Sequence, residues 1–492
     1  MRGIPDGAAD RIGETFEPVI GLEVHVQLST ASKIFCGCST AYGAPPNTQV
    51  CPICLGYPGT LPVLNEGAIE LAARAAIALG CEVHSRSIFA RKHYFYPDLP
   101  KGYQISQYDR PLATGGALAI HLDDGSQKTV RITRVHLEED AGKSAHAADG
   151  TRVDFNRCGV PLIEIVSEPD LTSPREAYLY LSTLKRTLEY LDVSDCNMEE
   201  GSLRCDANVS IRPRGEPMLS TKTEIKNVNS FRYVEAALEF EIERQAALVA
   251  RGARVVHETL LWDSVKGEAR PMRSKEMSHD YRYFPEPDLE PLDLDPAWLA
   301  GIRVGLPEAP PARTARFQSE YGLPAYDAGV LTATRPLADW FEAAARAFDD
   351  AKELSNWVMG EVLRLAKERG EPVALGPEPR PVAPGALAEL LTLKAEGKVS
   401  GSAAKEVLAL MAETGKSPAE IVRERGLEQV SDAAALESEV DAVLAAHPAE
   451  VAAFRSGKQG LIGFFVGHVM KRTGGQANPQ LVNRLLREKL AG

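Results

Sequence analysis

The sequence predicts an α+β protein, with a mainly antiparallel, strand-rich region followed by two all-helical regions. From residue 16 to about 230, short segments alternate apolar and polar side chains between Gly- and Pro-rich turns, as half-buried strands do. After Ala312, apolar residues recur at helical spacing among many Ala, Leu, Glu and Lys. A segment dense in Pro and acidic residues, 284–311, separates the two patterns. We therefore expect domains at 1–294, 295–415 and 416–492.

The composition is that of an ordinary globular protein. Of the 492 residues, 44% are hydrophobic and 25% are charged, and the length predicts more than one core. The sequence has no apolar run of about 18 residues, and its first residues lack the apolar stretch of a secretory leader. We therefore expect a cytoplasmic location. The net charge of −13 argues against a general nucleic-acid coat protein but does not exclude a local basic patch.

The segment 19–28, VIGLEVHVQL, carries the first chemical signal. Its apolar residues alternate with Glu23, His25 and Gln27, so a strand here has one apolar and one polar face. Glu23 and His25 are two residues apart on that polar face, where they can bind one cation or share one proton. The alternative is an ordinary solvated strand face.

Three further segments repeat this pattern. The segment 129–140 ends in Glu138, Glu139 and Asp140, which are candidate ligands for a hard cation. The segments 202–212 and 222–229 also alternate. If the four strands share a sheet, their polar faces form one charged surface, the polar floor, containing Glu23, His25, Asp206, Glu224 and Lys226.

Helices are predicted from apolar spacing and end signals. Thr172-Ser173-Pro174 with Glu176 announces one start, and Gly252 marks one end. The predicted helices span 65–79, 178–191, 229–252, 336–348, 352–369, 384–397 and 400–414. Residues 416–434 are expected to join the second and third domains, and the remainder is expected to be helical again.

Four cysteines form two close pairs separated by a loop. The pairs Cys36/Cys38 and Cys51/Cys54 suit a tetrahedral thiolate site for Zn²⁺. Four ligands leave no open position, so the site is expected to be structural. The alternative is four reduced thiols without metal.

Two stretches, 91–107 and 272–289, interleave aromatic residues with charged residues and Pro. Aromatic rings beside cations suit the stacking of bases and the pairing of phosphates at a single-stranded RNA end. Tyr94, Tyr96 and Lys101 are the candidate contacts. The alternative is aromatic packing within surface loops.

The C-terminal end is locally basic. From Ala453 onward the chain has seven Lys and Arg residues and one acidic residue, Glu488, which gives a net charge of +6. Lys458, Lys471 and Arg472 are therefore candidate contacts to a phosphate backbone. Helix packing with solvated charges is the alternative.

The motifs together resemble the B-subunit family of the GatCAB aspartyl/glutamyl-tRNA amidotransferases from about Phe16 to the C-terminus. The resemblance rests on IGLEVHVQL, CPICLGYPGTLPVLN, HYFYPDLPKGYQISQ, HLEEDAGKS, RCGVPLIEIVSEPD, GSLRCDANVS, TEIKNVNSF and MRSKEMSHDYRYFPEPDL. It implies a cradle-shaped catalytic domain that holds the aminoacylated tRNA end, a helical domain and a YqeY-like tail that contacts the tRNA body.

The resemblance also implies the chemistry. ATP would phosphorylate the side-chain carboxylate of Glu on tRNA(Gln), of Asp on tRNA(Asn), or of both, and ammonia would then displace the phosphate. Ammonia would come from an amidase A subunit (GatA), and a small C subunit (GatC) would hold the pair together. The implied Mg²⁺ ligands are Glu23, His25 and Glu138. Contacts to a second ion, to phosphate or to the acyl phosphate are expected from Asp206, Glu224 and Lys226. Zinc varies within the family, and with all four cysteines present we expect it bound.

Two other functions would account for parts of the pattern. A zinc-stabilised RNA-binding protein without catalysis is disfavoured because carboxylates on the polar floor repel phosphate unless a metal intervenes. A metallohydrolase using Glu23 and His25 is weakened because the sequence has no HExxH motif. The chain also lacks a Gly/Ser-rich amidase signature, so we expect it to depend on a partner for ammonia from glutamine.

Overall fold

The computed structural model describes residues 15–147, 149–272, 281–373, 379–429, 433–474 and 477–491. The chain forms two compact units that divide between Ala309 and Pro310. The first unit contains all the strands named below, and the second is helical. The α+β prediction is confirmed.

The strands are β1 Phe16–Gln27, β2 Glu82–Val83, β3 Arg86–Ser87, β4 Phe89–His93, β5 Tyr103–Gln107, β6 Ala113–Thr114, β7 Ala117–His121, β8 Gln127–Glu139, β9 Lys143–Ala147, β10 Gly150–Asp154, β11 Pro161–Ser167, β12 Leu203–Pro213, β13 Thr223–Val228, β14 Thr259–Asp263, β15 Glu268–Pro271, β16 Phe284–Pro285 and β17 Leu292–Asp293.

The helices are α1 Glu66–Ala78, α2 Pro174–Tyr190, α3 Phe231–Ala250, α4 Pro296–Gly305, α5 Pro310–Glu320, α6 Ala325–Leu331, α7 Arg335–Ala345, α8 Ala351–Trp357, α9 Leu363–Arg369, α10 Pro384–Ala395, α11 Gly401–Thr414, α12 Pro418–Arg425, α13 Ala433–Ala446, α14 Pro448–Arg455, α15 Ile462–Arg472 and α16 Pro479–Ala491. None of these helices is long and apolar enough to span a membrane.

One large sheet organises the first unit. Its strand order is β15-β14-β13-β12-β1-β11-β8-β6-β2, with β7 also paired to β8. The β13–β14 pair is parallel, and the other pairs of this sheet are antiparallel. The central strand β1 pairs with β11 on one side and β12 on the other. All four segments predicted to share a sheet therefore do so.

The apolar face of the sheet is buried. Leu22, Val24 and Val26 of β1 are at most 1% exposed and belong to one hydrophobic core with residues of α1, α2 and α3. The opposite face of β1 carries partly exposed polar side chains. The alternation in the sequence thus predicts which side of β1 faces the core.

Side-chain caps fix several predicted helix starts. The Asn65 side chain accepts a hydrogen bond from the Gly67 amide at 2.9 Å, and Ser173 accepts one from the Glu176 amide at 3.1 Å. Pro174 occupies the first turn of α2, where its missing amide hydrogen costs no helical bond. The predicted helix 352–369 is instead interrupted by a π-helical turn, Val358–Val362.

The first unit extends beyond the boundary predicted at 294/295. Helix α4 contacts α1, and Leu299 and Leu306 pack against the core of the first unit. The apolar side chains of α4 therefore belong to the sheet unit, although a Pro-rich acidic segment precedes them.

The second unit contains two hydrophobic clusters. One runs from Phe317 to Val422 and the other from Leu436 to Leu490. The first cluster includes Ile421 of α12, which begins with a capping box between Ser417 and Glu420. The predicted joining segment 416–434 therefore contains a packed helix, and the boundary predicted at 415/416 lies before the end of this cluster.

Candidate active site

The polar floor brings histidines and carboxylates of three strands together. His25 on β1 lies opposite Glu164 on β11, and Glu164 lies opposite His136 on β8. The Nε2 atom of His25 is 3.3 Å from Glu164 Oε2 and 3.6 Å from Glu138 Oε1. The Nε2 atom of His136 is 3.4 Å from Glu164 Oε2 and 3.6 Å from Glu138 Oε2. Two imidazoles and two carboxylates thus alternate around one point, which we call the His/Glu cluster.

Three of these residues, His25, Glu138 and Glu164, can each place one ligand atom within 4.8 Å of the others. Carboxylate oxygens are the ligands that hard cations prefer, and imidazole broadens the choice of metal. The His/Glu cluster therefore has the donor set of a divalent-cation site.

The cluster is electrostatically coupled. Burial disfavours a charged His136, but the Glu164 and Glu138 carboxylates raise its pKa to about 9. Burial likewise opposes ionisation of Glu164, but the two histidines hold its pKa well below its usual range. At neutral pH a protonated His136 therefore neutralises part of the carboxylate charge.

The structure separates the roles of the two adjacent glutamates of β8. Glu138 faces the His/Glu cluster and accepts a hydrogen bond from the Ser106 hydroxyl at 3.2 Å. Glu139 is turned away, accepts a hydrogen bond from the Ile105 amide at 2.8 Å, and forms an ion pair with Lys101. Strict alternation places Glu138 on the same face as His136, and this is what the structure shows.

Glu23 lies on the same face but outside the three-residue set. It is opposite Asp206 on β12 and Val166 on β11, and Asn208 Nδ2 donates a hydrogen bond to Glu23 Oε1 at 2.9 Å. Burial raises the Glu23 pKa, and the nearby Glu164 raises it further. Of the predicted set of Glu23, His25 and Glu138, the structure brings His25 and Glu138 within 4.8 Å of each other together with Glu164, and Glu23 lies beside them.

Asp206, Glu224 and Lys226 form a neighbouring group. The Lys226 ammonium is 2.8 Å from Asp206 Oδ2 and 3.0 Å from Glu224 Oε1. Burial opposes the charge on Lys226, but the two carboxylates raise its pKa. Asp206 and Glu224 are thus each paired with the Lys226 ammonium.

Asp140 connects the end of β8 to β1 and β12. Its Oδ2 atom accepts a hydrogen bond from Gln27 at 2.8 Å and lies 2.9 Å from Arg204 Nη2. Gln27, Arg204 and Asp206 also line a cleft of about 610 Å³ at the end of β1 and the start of β12. A volume of this order suits a small-molecule site beside the polar floor.

The aromatic residues of 91–107 divide into buried and exposed groups. Burial raises the Tyr94 pKa, as does the nearby Glu138, which places Tyr94 close to the cluster. Tyr96 is 42% exposed and Phe95 is 80% exposed. Lys101 is buried against Glu139, so the prediction that it contacts tRNA does not fit the structure. In the second stretch, 273–280 lies outside the described residues.

Lys92 and a tyrosine stack are features that the sequence does not predict. The Lys92 ammonium lies 4.8 Å from the centre of the Tyr281 ring. Burial opposes its charge, but Glu138 leads the groups that raise its pKa. Tyr108 and Tyr283 stack in parallel with ring centroids 4.1 Å apart. In the sequence RKHYFY nothing distinguishes Lys92 from the neighbouring Arg91. Its interaction with Glu138, which lies on β8, depends on tertiary structure.

The four cysteines converge as predicted. Each can place its sulfur within 4.8 Å of the others, and Cys51 Sγ and Cys54 Sγ are 3.9 Å apart. Tetrahedral Zn²⁺ with Zn–S bonds of about 2.3 Å requires sulfur atoms about 3.8 Å apart, so the residues fit the metal. A hydrogen bond from Cys36 is the largest cause that lowers the Cys54 pKa, to about 4, and the same hydrogen bond raises the Cys36 pKa. Burial raises the Cys38 pKa to about 11, so without a metal the favoured thiolate of this group is Cys54.

The basic residues of the C-terminal segment are partly neutralised. Arg472 Nε lies 2.7 Å from Glu439, and Lys489 Nζ lies 2.7 Å from Asp441. Lys458 and Lys471 are exposed and form no ion pair with a described residue. Of the three predicted phosphate contacts, Lys458 and Lys471 are therefore exposed without an ion pair to a described residue, and Arg472 is paired with Glu439.

Comparisons with known proteins agree across both units. A family model described as the GatB/GatE catalytic domain matches residues 18–300, and one described as the GatB domain matches residues 339–490. A protein of Moorella thermoacetica, named as the B subunit of an aspartyl/glutamyl-tRNA(Asn/Gln) amidotransferase, is 57% identical over 480 residues, which cover 96% of this chain and 100% of the relative. A protein of the same name from Myxococcus xanthus is 54% identical, with 96% of this chain and 98% of the relative covered. One from Carboxydothermus hydrogenoformans is 52% identical, with 97% of this chain and 99% of the relative covered.

Proposed function

The chain belongs to the GatB family, and we propose that it is the subunit of a tRNA-dependent amidotransferase that activates and amidates the aminoacyl group. The substrates are Glu-tRNA(Gln), Asp-tRNA(Asn) or both, together with ATP. An amidase A subunit supplies ammonia from glutamine, and a small C subunit holds the two larger subunits together. The single observation that carries the proposal is the His/Glu cluster, set on the sheet of a chain that matches this family over almost its whole length.

The reaction has two balanced steps. A side-chain carboxylate oxygen attacks the γ-phosphorus of ATP, the bond from that phosphorus to ADP breaks, and an acyl phosphate forms. Ammonia then attacks the acyl carbon, the bond to the phosphate oxygen breaks, and phosphate leaves as the amide forms. The first step requires neutralisation of phosphate charge and accurate positioning more than covalent help from the protein.

His25, Glu138 and Glu164 would hold Mg²⁺, which when bound neutralises charge on the γ-phosphate. Glu138 and Glu164 would provide oxygen ligands, and His25 Nε2, which lies 3.6 Å from Glu138 Oε1 and 3.3 Å from Glu164 Oε2, would complete the set. Glu23 stands beside this set as an additional acidic group. Burial and the nearby Glu164 raise its pKa, so a bound cation would favour its charged form.

Fixed cations would contact the anionic groups of the substrates. Lys226 borders Asp206 and Glu224 on one side of the His/Glu cluster, and Lys92 enters from the small sheet that contains β4. We assign Lys92 to the transferred phosphoryl group because it faces Glu138 and Glu164 without forming an ion pair with a described residue. The cleft of about 610 Å³, which Arg204 and Asp206 help to line, would provide room for part of ATP or of the aminoacyl end.

Aromatic residues at the edge of the site would receive the tRNA end. The Tyr108–Tyr283 stack and the exposed Tyr96 offer flat faces to unpaired bases. This placement retains Tyr96 from the sequence prediction, adds the stack, and leaves Tyr94 as a wall of the catalytic site.

The experiment that tests the function combines the chain with its A and C subunits, Glu-tRNA(Gln), ATP, Mg²⁺ and either ammonium or glutamine. ADP and Gln-tRNA should both form, and omission of the mischarged tRNA should abolish amide formation. The chain without its partners should use ammonium but not glutamine. If the complete complex forms no ADP under any of these conditions, the proposed function is incorrect.

A prediction for the tail separates paired from unpaired basic residues. Replacing Lys458 and Lys471 together by alanine should weaken tRNA binding several-fold. It should also reduce the slope of log K against log salt concentration by about 1–2, because binding releases about one counterion fewer for each phosphate contact that is lost. Lys489→Ala is the matched control, since this ammonium is already paired with Asp441 and Glu437. Filter binding across a salt series measures both quantities. An equal effect of the control would show that net charge, not these two positions, governs affinity.

A further inference from the structure

Lys33 is buried to an extent that lysine rarely reaches. The residue is 1% exposed and is among the largest fully buried side chains of the described chain. Lysine is almost never fully buried unless an anion or several acceptors compensate its charge. The environment of Lys33 must therefore contain its compensating group.

The Lys33 ammonium has three polar neighbours. It donates hydrogen bonds to the carbonyl oxygens of Gln49 at 2.8 Å and of Phe155 at 3.3 Å, and it lies 3.7 Å from Cys54 Sγ. It forms no ion pair with a carboxylate among the described residues. Since the carbonyls are neutral, the sulfur of Cys54 is the only one of these three neighbours that can carry a full negative charge.

We propose that Lys33 is the built-in counter-charge of the four-cysteine metal centre. Four thiolates around a divalent ion carry a net charge of −2, and one buried ammonium at Cys54 reduces that charge by half. Charge-assisted hydrogen bonds to metal ligands tune the metal and raise its affinity. The inference presupposes that the cysteines bind a divalent metal and does not depend on the amidotransferase reaction.

The same lysine joins the metal lobe to the catalytic sheet. Its bond to Phe155 fixes the turn that precedes β11, the strand that carries Glu164. In the same turn, the Gly159 carbonyl accepts a hydrogen bond from the Ile34 amide at 2.9 Å, and the Gly159 amide donates to the Asp140 carbonyl at 2.8 Å. The ammonium therefore lies where the cysteine loop meets the ends of β8 and β11.

The test compares Zn²⁺ affinity in full-length variants by competition with a chromophoric chelator, and the thiolate-to-metal absorption of the Co²⁺-substituted proteins. Lys33→Met should weaken Zn²⁺ binding by about 10- to 100-fold, the usual effect of losing a group that supports a metal ligand. Lys33→Gln keeps hydrogen-bond donors without the charge and should weaken binding to a similar degree. The exposed Lys266→Met is the matched control and should bind Zn²⁺ as the wild type does.

A purely structural role for Lys33 gives a different result. Urea unfolding of the metal-loaded and chelator-treated proteins separates the two, because a counter-charge stabilises the loaded form more than the metal-free form. Lys33→Met should therefore lose more stability with Zn²⁺ bound than without it. Equal losses of stability with and without Zn²⁺, or a Zn²⁺ affinity in Lys33→Gln equal to that of the wild type, would overturn the proposal. If Lys33→Met is already unfolded without metal, Lys33→Gln takes its place in the unfolding comparison.

Discussion

His25→Ala is expected to reduce ADP formation by about 10³-fold or more, because it removes a residue that contacts both carboxylates of the cation site. His25 Nε2 lies 3.3 Å from Glu164 and 3.6 Å from Glu138, so the change leaves two buried carboxylates facing each other with one histidine between them. The apolar face of β1 is untouched, and the fold should persist. The affinity for tRNA should change by no more than about twofold, since phosphate contacts elsewhere supply most of it.

Steady-state ADP release and filter binding of the same preparation measure the two quantities. His121→Ala is the matched control, since His121 is exposed and lies opposite Gln127 at the start of β8, whereas Glu138 lies at the other end of that strand. A variant at His25 that retains activity but loses tRNA binding would mean that the polar floor is a docking surface and that the catalytic cation is held elsewhere.

Removing the metal from the cysteine site is expected to lower the thermal midpoint by about 10 °C or more, because a structural Zn²⁺ contributes several kcal/mol that appear directly as folding free energy. Cys38→Ser is the most informative variant. Cys38 is partly exposed, so replacing it by serine leaves little empty space in the hydrophobic core. The loss of stability in this variant therefore reports on the loss of the metal.

Metal content by mass spectrometry and thermal unfolding with and without chelator check this result. Chelator should destabilise the wild type and have no further effect on Cys38→Ser. If the wild type contains no zinc and chelator leaves its unfolding unchanged, the cysteines are reduced thiols and the proposed metal centre is absent.

Local sequence patterns predict four strands of the large sheet, β1, β8, β12 and β13, and the first three helices, α1, α2 and α3. The apolar alternation of β1 and the caps at Asn65 and Ser173 depend on neighbours within a few residues, so one sequence is enough to place them. The predicted unit boundary falls short of Ala309 because composition does not show where α4 packs. Whether a helix joins one core or the next is decided by tertiary contacts.

The candidate site is predictable only in part, for the same reason. His25 and Glu138 stand out on alternating strands, but Glu164 lies in the continuous apolar run of β11, where no alternation is visible. A single carboxylate inside such a run is the available signal, since buried Glu requires a partner. Lys101 is predicted to contact RNA because the sequence does not show that it forms an ion pair with Glu139 of β8. The pairing register between strands that are distant in the sequence cannot be predicted from the local patterns.

The fate of one oxygen atom tests the central claim, phosphorylation of the aminoacyl carboxylate, most directly. Glu-tRNA(Gln) labelled with ¹⁸O in the side-chain carboxylate is incubated with the complete complex, ATP, Mg²⁺ and glutamine. The proposed mechanism predicts that each inorganic phosphate released with Gln-tRNA carries one ¹⁸O atom, because the bond that breaks joins carbon to that oxygen. Unlabelled phosphate accompanying amide formation would show that no acyl phosphate is formed and would contradict the mechanism.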